Sequence, residues 1–178
     1  LPTIGVHNVS VALVDSAPSG ITVSDKITLP ENTSVRTRVA TGTVTDPDLD
    51  PRLRNNPVIV SDDRFVFDGS DGGLYLQAGK IVDFEAESVI DLELSTGTGV
   101  GAITKAVQMA VSDVNEAPTS IVVYDQVALV ENTVTRTKIA NLSVLDPDTT
   151  PAFRNNLVSV NDSRFEVVEG ALYLKEGQ

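Results

Sequence analysis

The sequence predicts an all-β protein built from tandem β-sandwich modules. The first observation behind this prediction is an internal repeat, in which Ala17-Pro18 returns 100 residues later as Ala117-Pro118. A period of about 100 residues is the size of one sandwich domain and is too long for helical or leucine-rich solenoid repeats. The second observation is a composition rich in Val, Ile and Thr, with one Met and no Trp, which suits strands. The third is apolar alternation in short runs, with no sustained helical period.

Short motifs recur at the same offset along the chain. They are Glu31-Asn32-Thr33 with Glu131-Asn132-Thr133, Asp46-Pro47-Asp48 with Asp146-Pro147-Asp148, and Arg54-Asn55-Asn56 with Arg154-Asn155-Asn156. After a gap of two residues, Leu74-Tyr75-Leu76 returns as Leu172-Tyr173-Leu174. We therefore expect residues 1–14 to be the tail of a preceding repeat, residues 15–115 a complete repeat, and residues 116–178 the N-terminal two-thirds of a second repeat.

Seven strands are predicted in the complete repeat. Alternation marks strands over 21–29 and 35–44, and shorter apolar runs mark 58–60, 65–67, 74–76, 89–94 and 106–111. The segment Asp46-Pro47-Asp48-Leu49-Asp50-Pro51 predicts a turn, because Asp and Pro favour type I turns and Pro cannot serve in a central strand. Seven strands at these spacings are typical of a Greek-key sandwich of the immunoglobulin-like type.

Composition excludes several classes of function. A net charge of -12 and a pI near 4.3 argue against nucleic acid and anionic membrane surfaces as partners and favour cations. With no Cys, no disulfide can stabilise the modules, and bound calcium is the obvious substitute in an extracellular protein. The segment has no apolar run long enough for membrane insertion. One His, no Cys and no Gly-x-Ser-x-Gly sequence indicate that the protein is not an enzyme.

Taken together, the motifs resemble those of tandem cadherin repeats, in particular bacterial extracellular cadherin-like domains. Pro30-Glu31-Asn32 resembles the family's Pro-Glu-Asn element, and Val82-Asp83-Phe84-Glu85 resembles its Leu-Asp-Arg-Glu element. Asp46-Pro47-Asp48 and its counterpart at Asp146 resemble the Asp-x-Asp element. The segment from Asp113 to Pro118 resembles the linker pattern Asp-x-Asn-Asp-Asn-x-Pro. The resemblance covers residues 15–178 and implies Greek-key sandwiches of cadherin type.

In that family these motifs converge at the boundary between successive repeats and bind up to three calcium ions. The resemblance therefore implies a junction site made by the base of the first repeat, the linker and the top of the second repeat. The implied ligands are Glu31, Asp83, Glu85, Asp113, Asn115, Glu116, Asp146, Asp148 and Asn155. Calcium prefers about six to eight oxygen ligands. Since seven of these side chains are carboxylates, they should repel one another without metal, and bound Ca²⁺ should stiffen the junction.

A weaker site is implied at the leading boundary. Asp46, Asp48 and Asn55 are present there, but Val14-Asp15-Ser16-Ala17-Pro18 lacks the Asn and one acid of the linker pattern. We expect fewer ions at this boundary, one or none. In the linker at the main junction, Glu116 stands where the family usually has Asp, which keeps the charge and adds a methylene.

These features favour a calcium-rigidified region of a large secreted or cell-surface protein, acting in adhesion or as an extended spacer. Its expected partners are calcium, neighbouring repeats, and another protein or an extracellular polysaccharide. Two alternatives stay open. One is a calcium-dependent carbohydrate-binding module, against which 4% aromatic residues and no Trp argue. The other is a filament or surface-layer subunit completed by strand exchange with another chain. The simplest interpretation is that the acids only shape turns and solvated surface.

Overall fold

The computed structural model describes residues 11–96 and 102–178, which form two compact units. The first unit contains the described residues up to Asp83 together with those of Val89–Ser112. The second contains Phe84–Ser88 and Asp113–Gln178. Most of the predicted tail of a preceding repeat, residues 1–14, lies outside the described residues. The chain passes from one unit to the other at three points, which follow Asp83, Ser88 and Ser112.

The described part of the first unit has eight strands and one short helix. In order they are β1 (Gly20–Ser24), β2 (Leu29–Pro30), β3 (Thr37–Thr45), the 3-10 helix Pro51–Leu53, β4 (Val58–Val60), β5 (Phe65–Asp68), β6 (Gly73–Leu76), β7 (Val89–Thr96) and β8 (Ile103–Ser112). One sheet has the order β1-β3-β6-β5 and the other β2-β8-β7-β4. Neighbouring strands are antiparallel except β2 and β8, which are parallel.

The core of the first unit lies between these two sheets. Every second residue along β7 is buried, and Leu94 is 0% exposed. Met109 on β8 is also 0% exposed, as are Val39 and Leu76 of the other sheet. Alternating burial on two sheets is what face-to-face packing of β-sheets produces. The all-β sandwich predicted from the sequence is confirmed.

The first predicted strand differs from the structure. Residues 21–29 were expected to form one strand, and this expectation is wrong because the chain changes sheets within the segment. β1 ends at Ser24, and Asp25 follows with a φ of 51°, a left-handed conformation that Asp adopts more readily than most residues. Leu29 then pairs with Val111 in the opposite sheet. The remaining predicted strands lie where the structure has strands, with ends shifted by up to three residues.

The second unit has one sheet among its described residues. Its strands are β9 (Ser120–Tyr124), β10 (Thr137–Leu145), β11 (Phe165–Val168) and β12 (Ala171–Leu174), in the order β11-β12-β10-β9. The single helix among the described residues is the three-residue turn in the first unit, so none is long or apolar enough to cross a membrane. The sheet of the second unit therefore repeats the β1-β3-β6-β5 sheet of the first unit.

Local irregularities recur in the two units. The register between β3 and β6 shifts between Arg38 and Ala40, and that between β10 and β12 shifts between Lys138 and Ala140. A β-bulge at equivalent positions indicates that the two sheets have the same local twist. An arginine also lies over a tyrosine ring in each unit, with Cζ-to-centroid distances of 3.4 Å in the first and 3.8 Å in the second. The internal repeat is therefore a repeat of structure as well as of sequence.

Asn132 occupies a left-handed turn, with a φ of 62°, and its counterpart Asn32 has a φ of 59°. A Cβ makes this conformation unfavourable for most residues, whereas Asn and Gly adopt it readily. We expect Asn132→Ala to destabilise the second unit by about 1 kcal/mol and Asn132→Gly to have a much smaller effect. Urea denaturation of both variants measures the difference. Equal destabilisation by Ala and Gly would show that the side chain, and not the backbone conformation, determines the choice of Asn.

Candidate metal centre

The loop that follows β10 is organised by Asp146. The Asp148 N–H donates to Asp146 Oδ1 at 2.9 Å, and the Asn156 side-chain amide donates to Asp146 Oδ2 at 2.5 Å. An Asp that accepts the N–H two residues later forms a turn that resembles a backbone turn. The hydrogen bond from Asn156 is the main reason why the pKa of the Asp146 carboxyl is lowered. Asp146 is therefore a carboxylate fixed at both oxygens.

Asp148 is the buried acid of this loop, with 1% of its surface exposed. Its Oδ1 and Oδ2 accept the Glu116 N–H at 3.3 and 3.1 Å. The pKa of the Asp148 carboxyl is raised to about 6, mainly by burial and in addition by the neighbouring Glu116 and Asp146 carboxylates. Negative charge at this position is therefore unfavourable unless a cation compensates for it.

Three further carboxylates of the second unit lie together. Glu85, Asp113 and Glu116 each offer a carboxylate oxygen, and these oxygens all lie within 4.8 Å of one another. Both Asp113 oxygens are buried, and neither has a hydrogen-bond partner among the described residues. Buried polar atoms are nearly always satisfied in folded proteins, and like charges at this separation repel. The group has the hard oxygen donors that calcium prefers, so it could bind a metal ion.

Glu85 is held by Thr149. The Thr149 N–H and hydroxyl both donate to Glu85 Oε1, at 3.0 and 3.1 Å. Glu85 belongs to the short segment Phe84–Ser88, which clusters with the second unit although the residues on either side belong to the first. These hydrogen bonds connect that segment to the loop that carries Asp146 and Asp148.

Two predicted amide ligands lie outside this carboxylate group. Asn115 is exposed and its side-chain amide donates to the Glu116 carbonyl at 3.1 Å. Asn155 is exposed, and its neighbour Asn156 makes the contact with Asp146. The motif resemblance implies Asn155 and not Asn156 as a ligand, although both recur in the Arg-Asn-Asn motif. Metal ligation by Asn115 and Asn155 stays a prediction.

The predicted ligands of the first unit are Glu31 and Asp83. Glu31 is 3% exposed, and its N–H donates to the Ser112 carbonyl at 3.0 Å. The backbone N–H of the next residue, Asn32, donates to the Val82 carbonyl at 3.1 Å. The chain leaves the first unit after Asp83, which directly follows Val82, and again after Ser112. Glu31 is therefore fixed beside the ends of the segments that lead to Asp113 and Glu85.

The leading site of the first unit repeats the loop geometry but has fewer acids. The Asp48 N–H donates to Asp46 Oδ1 at 2.8 Å, the Asn56 amide to Asp46 Oδ2 at 2.7 Å, and the Ser16 N–H to Asp48 Oδ2 at 2.8 Å. Ser16 stands where the second site has Glu116, and Leu13 where it has Asp113. Asn55 is exposed, like Asn155. The linker before the weaker site predicted for Asp46, Asp48 and Asn55 thus has one carboxylate, Asp15, where the second linker has two.

The fold of this chain is a cadherin-like β-sandwich. The extracellular domain of protocadherin gamma B4 matches with a TM-score of 0.68 at 20% identity, over 94% of this chain and 28% of that chain. EC1–2 of human protocadherin-24 matches with a TM-score of 0.64 at 16% identity, over 84% of this chain and 73% of that chain. Extracellular domains 1–5 of protocadherin gamma B2 match with a TM-score of 0.64 at 21% identity, over 92% of this chain and 35% of that chain.

These similarities establish the fold. No protein-family model matches the chain, and no curated protein matches it either. The chain spans only 28% of the protocadherin gamma B4 structure. All three similar structures are extracellular cadherin domains. Together, these observations give a cadherin-like β-sandwich fold with an acidic group in its second unit that could bind a metal ion.

Proposed function

We propose that this chain is a calcium-binding, calcium-rigidified repeat region of a large secreted or cell-surface protein, acting in adhesion or as an extended spacer and without catalytic activity. The observation that carries the proposal is Asp113, whose two buried carboxylate oxygens have no hydrogen-bond partner among the described residues. A cation bound with Glu85 and Glu116 would satisfy them. Calcium fits a set of several carboxylates better than magnesium, which requires near-ideal octahedral geometry and keeps its waters.

The proposed ligands of the junction site come from both units. The second unit would supply Glu85, Asp113, Asn115, Glu116, Asp146, Asp148 and Asn155, and the first unit Glu31 and Asp83. Support for Glu31 is its burial and its backbone contact with Ser112, the residue directly before Asp113. Support for Asp83 is its position two residues before Glu85. The leading site would use Asp46, Asp48 and Asn55 and bind more weakly.

Calorimetric titration of the chelator-stripped chain with CaCl₂ tests this proposal. We expect saturation at about two to four ions per chain, with MgCl₂ unable to compete. The Asp113→Asn variant should lose most of the heat of binding, because the substitution removes the negative charge of this side chain without changing its size. Asp63→Asn is the matched control, since Asp63 is an exposed acid whose side chain pairs with Lys80. The absence of saturable binding into the millimolar range would contradict the proposal.

Calcium affinity should depend on pH through Asp148. The pKa of this carboxyl is raised from 3.8 to about 6 in the metal-free protein, so protons compete with the metal below pH 6 and not above it. Because metal ligands must be deprotonated, we expect the affinity to be about tenfold lower at pH 5 than at pH 7. Calorimetry at the two pH values and constant ionic strength measures this. Equal affinities would show that Asp148 does not need to lose a proton when the metal binds.

We also propose that bound calcium restricts bending between successive repeats and that the chain acts outside the cell. Neutralising several mutually repelling carboxylates would favour one arrangement of the segments that carry them. Small-angle scattering with calcium and with chelator tests this, and an unchanged maximum dimension would oppose it. The bacterial origin suggested by the sequence resemblance stays a prediction.

Strand exchange with another chain, the second alternative that the sequence leaves open, stays a prediction. Size-exclusion chromatography over a range of concentrations tests for self-association, and a constant elution volume would count against it. Polysaccharide binding stays a prediction, which a glycan array would test.

A further inference from the structure

Thr149 makes two hydrogen bonds to the same carboxylate oxygen. Its N–H and its hydroxyl donate to Glu85 Oε1 at 3.0 and 3.1 Å, and Glu85 is one of the three clustered acids of the second unit. We infer that Thr149 is a positioning residue for the metal site, which fixes the Glu85 carboxylate before calcium binds. This inference rests on the proposed function and adds to it a residue that is not itself a metal ligand.

The chemistry of glutamate explains why such a residue is useful. A free Glu side chain samples many rotamers, and ordering it at a metal opposes binding. Two donors on Oε1 select one orientation in advance and leave Oε2 without a contact to Thr149. A ligand that is ordered beforehand binds more tightly because less freedom is lost on binding. Groups that hydrogen-bond to metal ligands in this way typically change affinity by about ten- to a hundredfold.

The first unit provides an internal comparison. The equivalent of Thr149 there is Leu49, which is 90% exposed and has no hydroxyl. The surrounding loop nevertheless has the same hydrogen bonds to Asp46 that the second loop has to Asp146. The loop therefore folds without a hydroxyl at this position. A structural requirement of the turn does not explain Thr149, whereas its contact with Glu85 does.

The test replaces the hydroxyl and keeps the shape. Thr149→Val is nearly isosteric and retains the backbone N–H, so only one of the two hydrogen bonds is lost. We expect it to lower calcium affinity by about tenfold in calorimetry, and Thr149→Ser to remain within about twofold of the parent because it restores the hydroxyl. The melting temperature of both variants in chelator should equal that of the parent, since Thr149 is exposed.

Glu85→Ala provides the decisive background. If Thr149 acts through Glu85, Thr149→Val should have no further effect on affinity once Glu85 is removed. An unchanged affinity of Thr149→Val in the parent would overturn the inference, and so would an equal loss in the Glu85→Ala background. If the parent itself binds no calcium, the proposed function fails and the inference fails with it. That outcome is distinct, because it is seen before any variant is made.

Discussion

Asp148→Asn is expected to weaken calcium binding at the proposed site by at least about a hundredfold, which exceeds the usual effect of residues that only support a ligand. Asn retains an oxygen that can accept the Glu116 N–H, so the loop should keep its hydrogen bonds. The substitution removes the negative charge of the Asp148 side chain, which is 1% exposed. Calcium titration by calorimetry measures the loss, and scattering in calcium should show increased bending.

The same substitution has an opposite expected effect without metal. Because burial raises the pKa of Asp148 above its usual value, keeping this carboxyl ionised at neutral pH lowers the stability of the metal-free fold. Asp148→Asn should therefore melt no earlier than the parent in chelator. Asp48→Asn is the matched control, since Asp48 holds the same position in the first unit, and it should leave the junction affinity unchanged. Equal losses in the two variants would show that the effect does not arise at the junction.

Leu94→Ala is expected to destabilise the first unit by about 2–5 kcal/mol, the usual cost of truncating a large side chain in a packed core. Leu94 is 0% exposed and lies on β7, in the sheet that faces β3 and β6 across the core. The loss combines the removed apolar surface with the cavity that the surrounding side chains cannot fill. Urea denaturation, followed by a signal from the first unit, measures it.

Leu49→Ala is the control for this prediction. Leu49 has the same side chain but is 90% exposed, so its truncation should change stability by no more than about 0.5 kcal/mol. If Leu94→Ala were as mild as Leu49→Ala, the sandwich core would have to repack around the missing side chain. A change in the urea dependence, without a change in the midpoint, would instead indicate an altered unfolded state.

Most strands of the first unit could be predicted because each has one buried face. The alternation along β7 matches its burial residue by residue, so the sequence pattern is sufficient there. It was not sufficient between Gly20 and Pro30, where the apolar alternation continues although the chain changes sheets at Asp25. An apolar residue at every second position indicates which face of a strand is buried, but it does not indicate to which of the two sheets the strand belongs.

The acidic site could be predicted only as a set of residue types. Motif resemblance named Glu85, Asp113 and Glu116, and these three are the carboxylates that cluster in the second unit. It could not distinguish Asn155 from Asn156, because neighbouring amides in a loop differ only in the direction of their side chains. Thr149 was also missed, since its contact with Glu85 spans 64 residues of sequence and belongs to no motif.

The loops around Asp46 and Asp146 have equivalent hydrogen bonds. The linkers before them differ, because the first has Leu13 and Ser16 where the second has Asp113 and Glu116. If the proposed function holds, the fold of a repeat and the stiffness of its joint are separately encoded. Evolution could then convert a rigid joint into a flexible one by changing linker acids, with no change to either core. An array of such repeats would carry its own pattern of stiff and compliant joints, and its mechanical profile could be estimated from the linker residues alone.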